Sequence, residues 1–329
     1  MASKTWSSRD RVRAALSHER PDRVPFNFWM DRRLMARYAA RYGEYFRITH
    51  FGADVLESFP GWMWPAGPTI ERDGTVWHVA PLVQSLAEVL DLPVPDPTDD
   101  AVYDPIRADR ARFPDVAIFV DVVGPLTILH GMRLYQNLFL DIYDSPEVLE
   151  QIIRRWASIY AALVERLVRL DIDAIYLMDD IAGRDGLMLS REHIRQTVFA
   201  CFAEPIAIAH AAGLPVLFHS DGDLTAILDD LVELGFDAVN PLEPPLNDLD
   251  AFRARYRGQL AVYGGLDTYG VIPNGTPADV RRHVLRTFET LGPSGGLILS
   301  THDIPIHTPE ANIEAMVETI RQECRYQHT

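Results

Sequence analysis

The chain of 329 residues has few cysteines, a deficit of positive charge and no long apolar run. Its two cysteines, Cys201 and Cys324, are too few for a disulfide framework or a four-sulfur zinc site. Lys and Arg number 31 against 47 Asp and Glu, and this excess of negative charge argues against nucleic-acid binding. No stretch reaches the roughly 18 apolar residues that span a membrane, and the first residues lack a signal-peptide core. We therefore expect a cytoplasmic protein with no nucleic-acid or membrane partner.

Short apolar segments alternate with longer amphipathic stretches along the chain. Most of the apolar segments do not alternate strictly with polar residues, which is typical of parallel strands buried on both faces. The predicted strands cover residues 23–29, 53–59, 117–123, 173–178, 215–219, 237–240, 260–264 and 296–300. The pattern predicts an α/β fold, a single (β/α)8 TIM barrel that forms one domain over residues 1–329. A doubly wound open sheet is the alternative, but no GxGxxG motif opens a helix after any strand.

One segment departs from this repeat, at residues 61–112 after the second predicted strand. It is rich in Pro and Asp, and it contains the hairpin-like sequence TVWHVAPLV over residues 75–83. Loops of such length in a compact domain are usually functional, so we expect a lid-like insertion. Trp62 and Trp77 are its candidate substrate-binding residues, lining a flat pocket or forming a protein interface.

Polar residues at the predicted strand ends are unusually acidic and rich in histidine. In a (β/α)8 barrel these ends form the mouth where chemistry takes place. His219, Asp221 and His302 follow the fifth and eighth strands and form a set of two imidazoles and one carboxylate that suits a divalent metal. Glu243 or Asp180 is a candidate for a further ligand. The alternative is structural: His219 bonds a neighbouring carboxylate and Asp221 caps the following helix.

Further candidates for catalysis and substrate binding lie around the same mouth. Of the adjacent pair Asp179 and Asp180, one is a candidate base or orienting group, although both could instead cap the following turn. Arg32 and Arg33 are candidates for clamping an anionic substrate group, because guanidinium matches carboxylate geometry. An arginine that follows a strand is more often a surface residue or an ion-pair partner, and this is the alternative for both.

Several longer stretches carry a pattern that extends over nearly the whole chain. They include RVRAALSHERPDRVPF, VVGPLTILHGMRLYQNLFLDIYDSPE, GLPVLFHSDGDLTAILDDLVELGFDAVNPLEP, YGGLDT and THDIPIHTPEANIEAM. Together they resemble the uroporphyrinogen decarboxylase-like superfamily, which implies a (β/α)8 barrel. The resemblance also implies one of two chemistries: metal-free decarboxylation of porphyrinogens, or zinc-dependent methyl transfer between corrinoids and thiols.

The sequence departs from both branches of that superfamily. Where the decarboxylases have RQAGRY, this chain has WMDRRLMARYAARY, and an octa-anionic substrate would face an acidic mouth. In the methyltransferases zinc is held by a His-x-Cys…Cys set. His219 matches the motif histidine, while Asp221 and His302 fall where the two cysteines would be. Both soft ligands are thus replaced by oxygen and nitrogen, so the resemblance implies a metal site of altered character.

The leading hypothesis is therefore a metal-dependent transferase of methyl or small alkyl groups that acts on a small-molecule substrate. Zinc is the first choice of divalent metal, with iron or manganese as alternatives, and any corrinoid would arrive on a separate protein. Asn27 and Tyr263 would line the pocket. One rival is a decarboxylase of a small aromatic or tetrapyrrole-type acid, in which Asp54 or Asp180 protonates the carbanion. The other rival is a non-catalytic ligand-binding homologue. We also expect a homodimer.

Overall fold

The computed structural model describes residues 5–72 and 75–327. Its strands are β1 Trp29–Met30, β2 Val55–Ser58, β3 Thr69–Arg72, β4 Thr75–His78, β5 Ala117–Val123, β6 Ala174–Met178, β7 Ala182–Gly183, β8 Gly186–Leu187, β9 Val216–His219, β10 Ala238–Asn240, β11 Ala261–Gly265, β12 Leu297–Ser300 and β13 Asp303–Ile304. Its α-helices are α1 Ser8–Leu16, α2 Arg32–Tyr42, α3 Phe46–Thr49, α4 Asp104–Arg112, α5 Pro125–Arg133, α6 Tyr135–Asp144, α7 Pro146–Leu167, α8 Arg191–Ile194, α9 Ala200–Ala211, α10 Leu228–Leu234, α11 Leu249–Tyr256, α12 Val271–Asn274, α13 Pro277–Leu291 and α14 Glu310–Gln322.

Seven strands form one curled, parallel sheet in the order β2, β5, β6, β9, β10, β11, β12. Neighbours in the sheet follow one another along the chain and are joined by segments that contain helices, which is the connection that parallel strands require. The prediction of a parallel α/β fold is therefore confirmed. All seven strands point their carboxyl ends to the same edge, where the loops after β6, β9, β10, β11 and β12 meet.

The first predicted strand, over residues 23–29, is wrong in its bounds. The regular strand β1 is only Trp29–Met30, which pairs with β13. Before it, the chain hydrogen-bonds to both edges of the sheet: Leu299 N–H donates to Pro25 O at 2.9 Å, and Asp54 N–H donates to Phe26 O at 2.8 Å. A regular ladder does not form here, because Pro25 has no N–H and the Phe26 N–H donates to the Asp54 carboxylate.

The core lies on both faces of the sheet. Inward-facing side chains of the strands pack against Val12, Ala15 and Leu16 of α1, which fill the end of the sheet opposite the mouth. The strand residues of this inner cluster are Val55, Ala117, Phe119, Ala174, Tyr176, Leu217, Ala238, Ala261, Tyr263 and Ile298. A capping box between Ser7 and Asp10 starts α1. Burial on both faces explains why the strands lack strict alternation.

The insertion after β2 contains an antiparallel hairpin of β3 and β4. The predicted hairpin over 75–83 is wrong in its bounds, because β4 ends at His78 and its partner is Thr69–Arg72. Beyond β4 the backbone turns to another element: Leu82 N–H donates to Met132 O, at the end of α5, at 2.8 Å. Pro81 lacks the N–H that a longer ladder would need.

Among the described helices, none is long and apolar enough to cross a lipid bilayer.

Candidate active site

His219 is the last residue of β9 and lies beside Asn240 at the end of β10. The Asn240 side-chain amide donates to Tyr263 O at 2.5 Å, which leaves Asn240 Oδ1 as the acceptor. His219 Nδ1 lies 2.6 Å from Asn240 Oδ1 and therefore carries the proton. The Tyr176 hydroxyl donates to the same oxygen at 2.5 Å. In its neutral form His219 thus presents its Nε2 lone pair to the mouth, which is the orientation that a metal ligand needs.

The structure brings Asp221 and His302 to the same point as His219. One ligand atom from each of the three lies within 4.8 Å of the other two. Asp221 Oδ1 is 3.3 Å from His302 Nε2 and 3.9 Å from His219 Nε2. His302 Nδ1 lies 3.0 Å from the Tyr269 hydroxyl, so this ring also has a partner behind it. Two imidazole nitrogens and one carboxylate oxygen fit a divalent metal with one position left open.

The charge around His219 is strongly negative. Burial lowers the pKa of His219, but the carboxylates of Asp221 and Asp180, with the hydrogen bond to Asn240, together outweigh that effect, so its pKa lies above the usual value. Asp180 Oδ1 is 3.6 Å from His219 Nε2, and the Asp180 side chain is 43% exposed. A cation at this point, whether a proton on His219 or a metal ion, offsets the two carboxylates.

Glu243 lies outside this group of three ligands. Its Oε1 accepts a hydrogen bond from Thr268 N–H at 2.7 Å, and Thr268 Oγ1 in turn accepts from His302 N–H at 3.0 Å. Burial raises the pKa of Glu243 to about 7. The observed contacts of Glu243 therefore support the backbone around His302 rather than complete the ligand set.

Asp179 and Asp180 point in different directions after β6, and only Asp180 faces His219. Asp179 is fully buried and accepts from Leu126 N–H at 2.9 Å and Thr127 N–H at 2.7 Å, in the first turn of α5. Burial raises the pKa of Asp179 to about 7, against the opposing effect of these hydrogen bonds. Gly124 gives the carboxylate room, since a Cβ there would lie 2.4 Å from Asp179 Cβ. These contacts make Asp179 a capping residue.

Asn27 and Tyr263 belong to a buried polar network inside the sheet. Asn27 Nδ2 donates to Glu57 Oε2 at 3.0 Å, and the Tyr263 hydroxyl donates to Glu57 Oε1 at 2.5 Å. Arg47 pairs with Glu57 Oε2 at 3.3 Å, and its guanidinium lies 3.9 Å from the centroid of the Trp29 ring. Both oxygens of Glu57 are therefore satisfied, and the network fixes the floor of the mouth.

A cavity of about 260 Å³ lies beside this network, between the loop after β2 and α5. Trp62 lines it together with Trp64, whereas Trp77 lies on the hairpin and is largely exposed. Asp121 of β5 also lines the cavity, and its Oδ1 has no hydrogen-bond partner among the described residues. This aromatic cavity is close to His219, Asp221 and His302, the metal-ligand group. Its wall residue Thr127 accepts a hydrogen bond from Asp180 N–H at 3.2 Å, and the Asp180 carboxylate lies 3.6 Å from His219 Nε2.

Arg32 and Arg33 lie at the exposed start of α2 and have acidic partners of their own. The Arg32 side chain is 66% exposed and lies 3.8 Å from Glu71 Oε2. Arg33 pairs with Asp31 at 3.0 Å. Neither arginine lines the aromatic cavity. Ion pairing on the surface, the alternative explanation for both residues, agrees with these contacts.

Asp54 lies just before the amino end of β2, on the side away from the mouth. Its carboxylate forms a two-pronged ion pair with Arg23, at 2.7 and 2.9 Å, and it is fully buried. It also accepts from Phe26 N–H at 3.0 Å. Asp54 therefore closes the junction between the first segment and β2, and it is not placed to meet a substrate at the mouth.

Five residues that support the site are not indicated as site residues by the sequence pattern. They are Glu57, Tyr176, Asn240, Tyr269 and Arg47. Asn240 ends a predicted strand, and Tyr176 and Glu57 lie within two others, so the inward-facing positions of those strands were an available signal. Arg47 and Tyr269 come from short helical and loop segments, for which the repeat gives no such signal.

Comparison with known proteins places this site in context. Residues 69–323 match the family model described as Uroporphyrinogen decarboxylase (URO-D). The chain is 26% identical over 283 residues to the uroporphyrinogen decarboxylase of Synechococcus sp. (strain JA-3-3Ab), a match covering 82% of this chain and 74% of that protein. It is 25% identical over 254 residues to the uroporphyrinogen decarboxylase of Alkalilimnicola ehrlichii, covering 73% of this chain and 67% of that protein. A solved methyltransferase from Methanosarcina mazei shares the fold, with a TM-score of 0.72, 17% identity and coverage of 97% of this chain and 99% of that one.

Proposed function

Because the chain belongs to the uroporphyrinogen decarboxylase family, whose members are enzymes, we propose that it transfers methyl or similar small alkyl groups with a divalent metal. The observation that supports this function is the convergence of His219, Asp221 and His302 on one point. Each histidine has a partner behind its other ring nitrogen, which is the usual way in which metal ligands are oriented.

The three ligands would hold zinc, with iron or manganese as alternatives, and leave a coordination position open. The metal, when bound, supplies Lewis acidity toward a heteroatom of the donor or acceptor. Asp180 is the residue that we assign to accept or hold a proton there. Its carboxylate is exposed to the mouth and lies 3.6 Å from His219 Nε2, whereas Asp179 is enclosed by α5. Asn27 and Tyr263 lie beneath the mouth, where their hydrogen bonds to the Glu57 carboxylate hold it in place.

Decarboxylation of a small carboxylic acid is the second candidate, and the names of the curated relatives favour it. Such a reaction needs cationic groups to hold the substrate carboxylate. Among the described residues, no Lys or Arg lines the aromatic cavity, and Arg32 and Arg33 have acidic partners on the surface. We therefore rank methyl transfer above decarboxylation. In the decarboxylase alternative, Asp180 would be the proton donor.

We propose that residues 1–329 form one domain, a (β/α)8 barrel that the segment around Pro25–Asn27 closes, with residues 61–112 as a lid-like insertion. The hydrogen bonds of Pro25 and Phe26 to both sheet edges support the closure. Met63 and Trp77, on the insertion, are 89% and 56% exposed and offer apolar surface to a partner. A corrinoid carried by a separate protein, or a second copy of this chain, is the partner that we propose.

Metal content tests the proposed function. Tag-free protein, purified without chelator and reconstituted with zinc, iron or manganese, is analysed by plasma mass spectrometry beside the His219→Ala and His302→Ala variants. His50→Ala, which removes an exposed histidine, is the matched control. We expect about one metal ion per chain in the native protein and the control, and loss of metal from the other two. Absence of metal from the reconstituted native protein contradicts metal-dependent transfer and directs screening to carboxylic acids. If neither methyl donors with acceptors nor carboxylic acids are turned over, the non-catalytic ligand-binding homologue is the remaining function.

A further inference from the structure

The aromatic cavity beside the metal-ligand group has the walls of a cage. The rings of Trp62 and Trp64 have centroids 6.3 Å apart and planes inclined by 67°. Trp64 is held from behind by Trp156, at 4.7 Å between centroids. Phe59 adds a third aromatic side chain to the walls. At about 260 Å³ the space suits a ligand smaller than a typical drug molecule.

Asp121 supplies to this cavity a buried carboxyl group that no cationic side chain contacts among the described residues. Only 3% of Asp121 is exposed, and its Oδ1 has no hydrogen-bond partner among the described residues. A second buried carboxylate of this region, Glu57, is paired with Arg47. The hydrogen bonds described for Arg47 go to Asn27, Phe28 and Glu57, and none of them goes to Asp121. A buried carboxyl without a partner is costly, so an arriving cation would stabilise it.

We propose that this cavity binds the cationic head of a small methylated ammonium compound, caged by Trp62 and Trp64 and balanced by Asp121. Aromatic faces attract organic cations through the ring quadrupole, and such cages are a known means of recognising methylated ammonium groups. A bare metal ion would instead need several ligand groups that converge on one point, and among the described residues Asp121 belongs to no such cluster. Burial raises the pKa of Asp121 well above its usual range, the Glu57 carboxylate adds to this effect, and the Arg47 guanidinium opposes it without cancelling it.

The position of the cavity gives this ligand a place in the reaction. Thr127 lines the cavity and accepts a hydrogen bond from Asp180 N–H, and Asp180 lies 3.6 Å from His219 Nε2. We assign to this ligand the role of methyl donor. The assignment rests on the proposed function, whereas the binding of the ligand in the cavity is independent of it. In that transfer the C–N bond breaks and its electron pair stays on nitrogen, which leaves a neutral amine. The methyl carbon bonds to the heteroatom of a nucleophilic acceptor, such as a thiol, which the metal would hold; the lone pair of that heteroatom forms the new bond and Asp180 takes its proton.

Calorimetric titration with two matched probes tests the cation site. Choline carries a trimethylammonium head, and 3,3-dimethylbutan-1-ol has the same shape with carbon in place of nitrogen. We expect choline to bind about tenfold more tightly than the neutral alcohol. Asp121→Asn and Trp62→Leu should each remove most of that preference. Asp144→Asn is the control for net charge, because Asp144 is an exposed residue at the end of α6.

The outcomes separate this inference from the proposed function. Equal affinity for choline and the alcohol, no choline binding, or a preference that survives in Asp121→Asn overturns the cation site. The comparison of the two probes on native protein decides the matter even if a variant fails to fold. His219→Ala should lose metal and keep the choline preference. A protein that prefers choline but never holds metal supports the cation site and contradicts the proposed function. A protein that holds metal but does not prefer choline supports the proposed function and contradicts the cation site.

Discussion

Asn240 Oδ1 lies 2.6 Å from His219 Nδ1 and determines which nitrogen of the imidazole ring faces the mouth. The residue is itself held, because its side-chain amide donates to Tyr263 O. A residue that touches no metal or substrate thus controls whether His219 can act as a ligand.

Replacing Asn240 should weaken metal binding while both histidines remain. Asn240→Leu removes the acceptor behind His219, and we expect the affinity for zinc to fall by about 10- to 100-fold, as for other residues that orient metal ligands. Asn240→Asp retains an acceptor oxygen and should bind zinc more tightly than Asn240→Leu does. Competition with a chromophoric chelator measures all three affinities. Native affinity in Asn240→Leu would show that Asn240 does not orient the ligand.

Asp179 should make the stability of the protein depend on pH. Its pKa is raised to about 7 in the folded state, against about 3.9 in an unfolded chain. The folded state therefore holds the proton more tightly, and its stability falls as the pH rises from about 4 to about 7. Over that range the free energy of unfolding should fall by roughly 1–4 kcal/mol more in native protein than in Asp179→Asn. Urea unfolding of the metal-free proteins at several pH values measures the difference, and parallel curves would contradict the assignment.

Gly124 and Gly183 form a matched pair of glycine substitutions. A Cβ at Gly124 would lie 2.4 Å from Asp179 Cβ, whereas one at Gly183 has nothing within 4 Å. Gly124→Ala should therefore destabilise the protein by about 1–3 kcal/mol, the usual cost of overpacking a buried site. Gly183→Ala should leave the thermal midpoint nearly unchanged. Equal midpoints for the two variants would mean that the space around Asp179 is less tightly filled than described.

Asp54 should prove to be a structural residue. Removing one charge of its buried pair with Arg23 should destabilise the fold by about 3 kcal/mol. The folded Asp54→Asn protein should nevertheless retain native metal content, because Asp54 lies at the amino end of β2. Unfolding in urea and metal analysis of the folded fraction measure the two effects. Native stability together with lost turnover would instead restore Asp54 as a proton donor.

The sequence was sufficient to predict the family, the parallel sheet and the approach of His219, Asp221 and His302. The family prediction is confirmed by the match over residues 69–323. The three ligands could be found because parallel strands end at one edge, so residues far apart in sequence meet there. The individual role of each residue remains a prediction.

Features that depend on side-chain partners could not be predicted in this way. Arg32 and Arg33 have the right residue type for an anion clamp, but acidic neighbours on the surface pair with them. The isolation of Asp121 depends on the hydrogen bonds that Arg47 makes to Glu57 and to the backbone, which no spacing reveals. Likewise, Asp179 and Asp180 are adjacent in sequence, and only the position of α5 distinguishes them.

Helix α1 has a consequence for how reactants move. Val12, Ala15 and Leu16 pack into the sheet from the end opposite the mouth, so we expect reactants to enter and leave the site at the mouth. A small ligand at Asp121 would then bind before a partner protein that covers the mouth, and it would leave only after that partner dissociates. Two-substrate kinetics should then follow a compulsory order, with the small ligand preceding the larger partner.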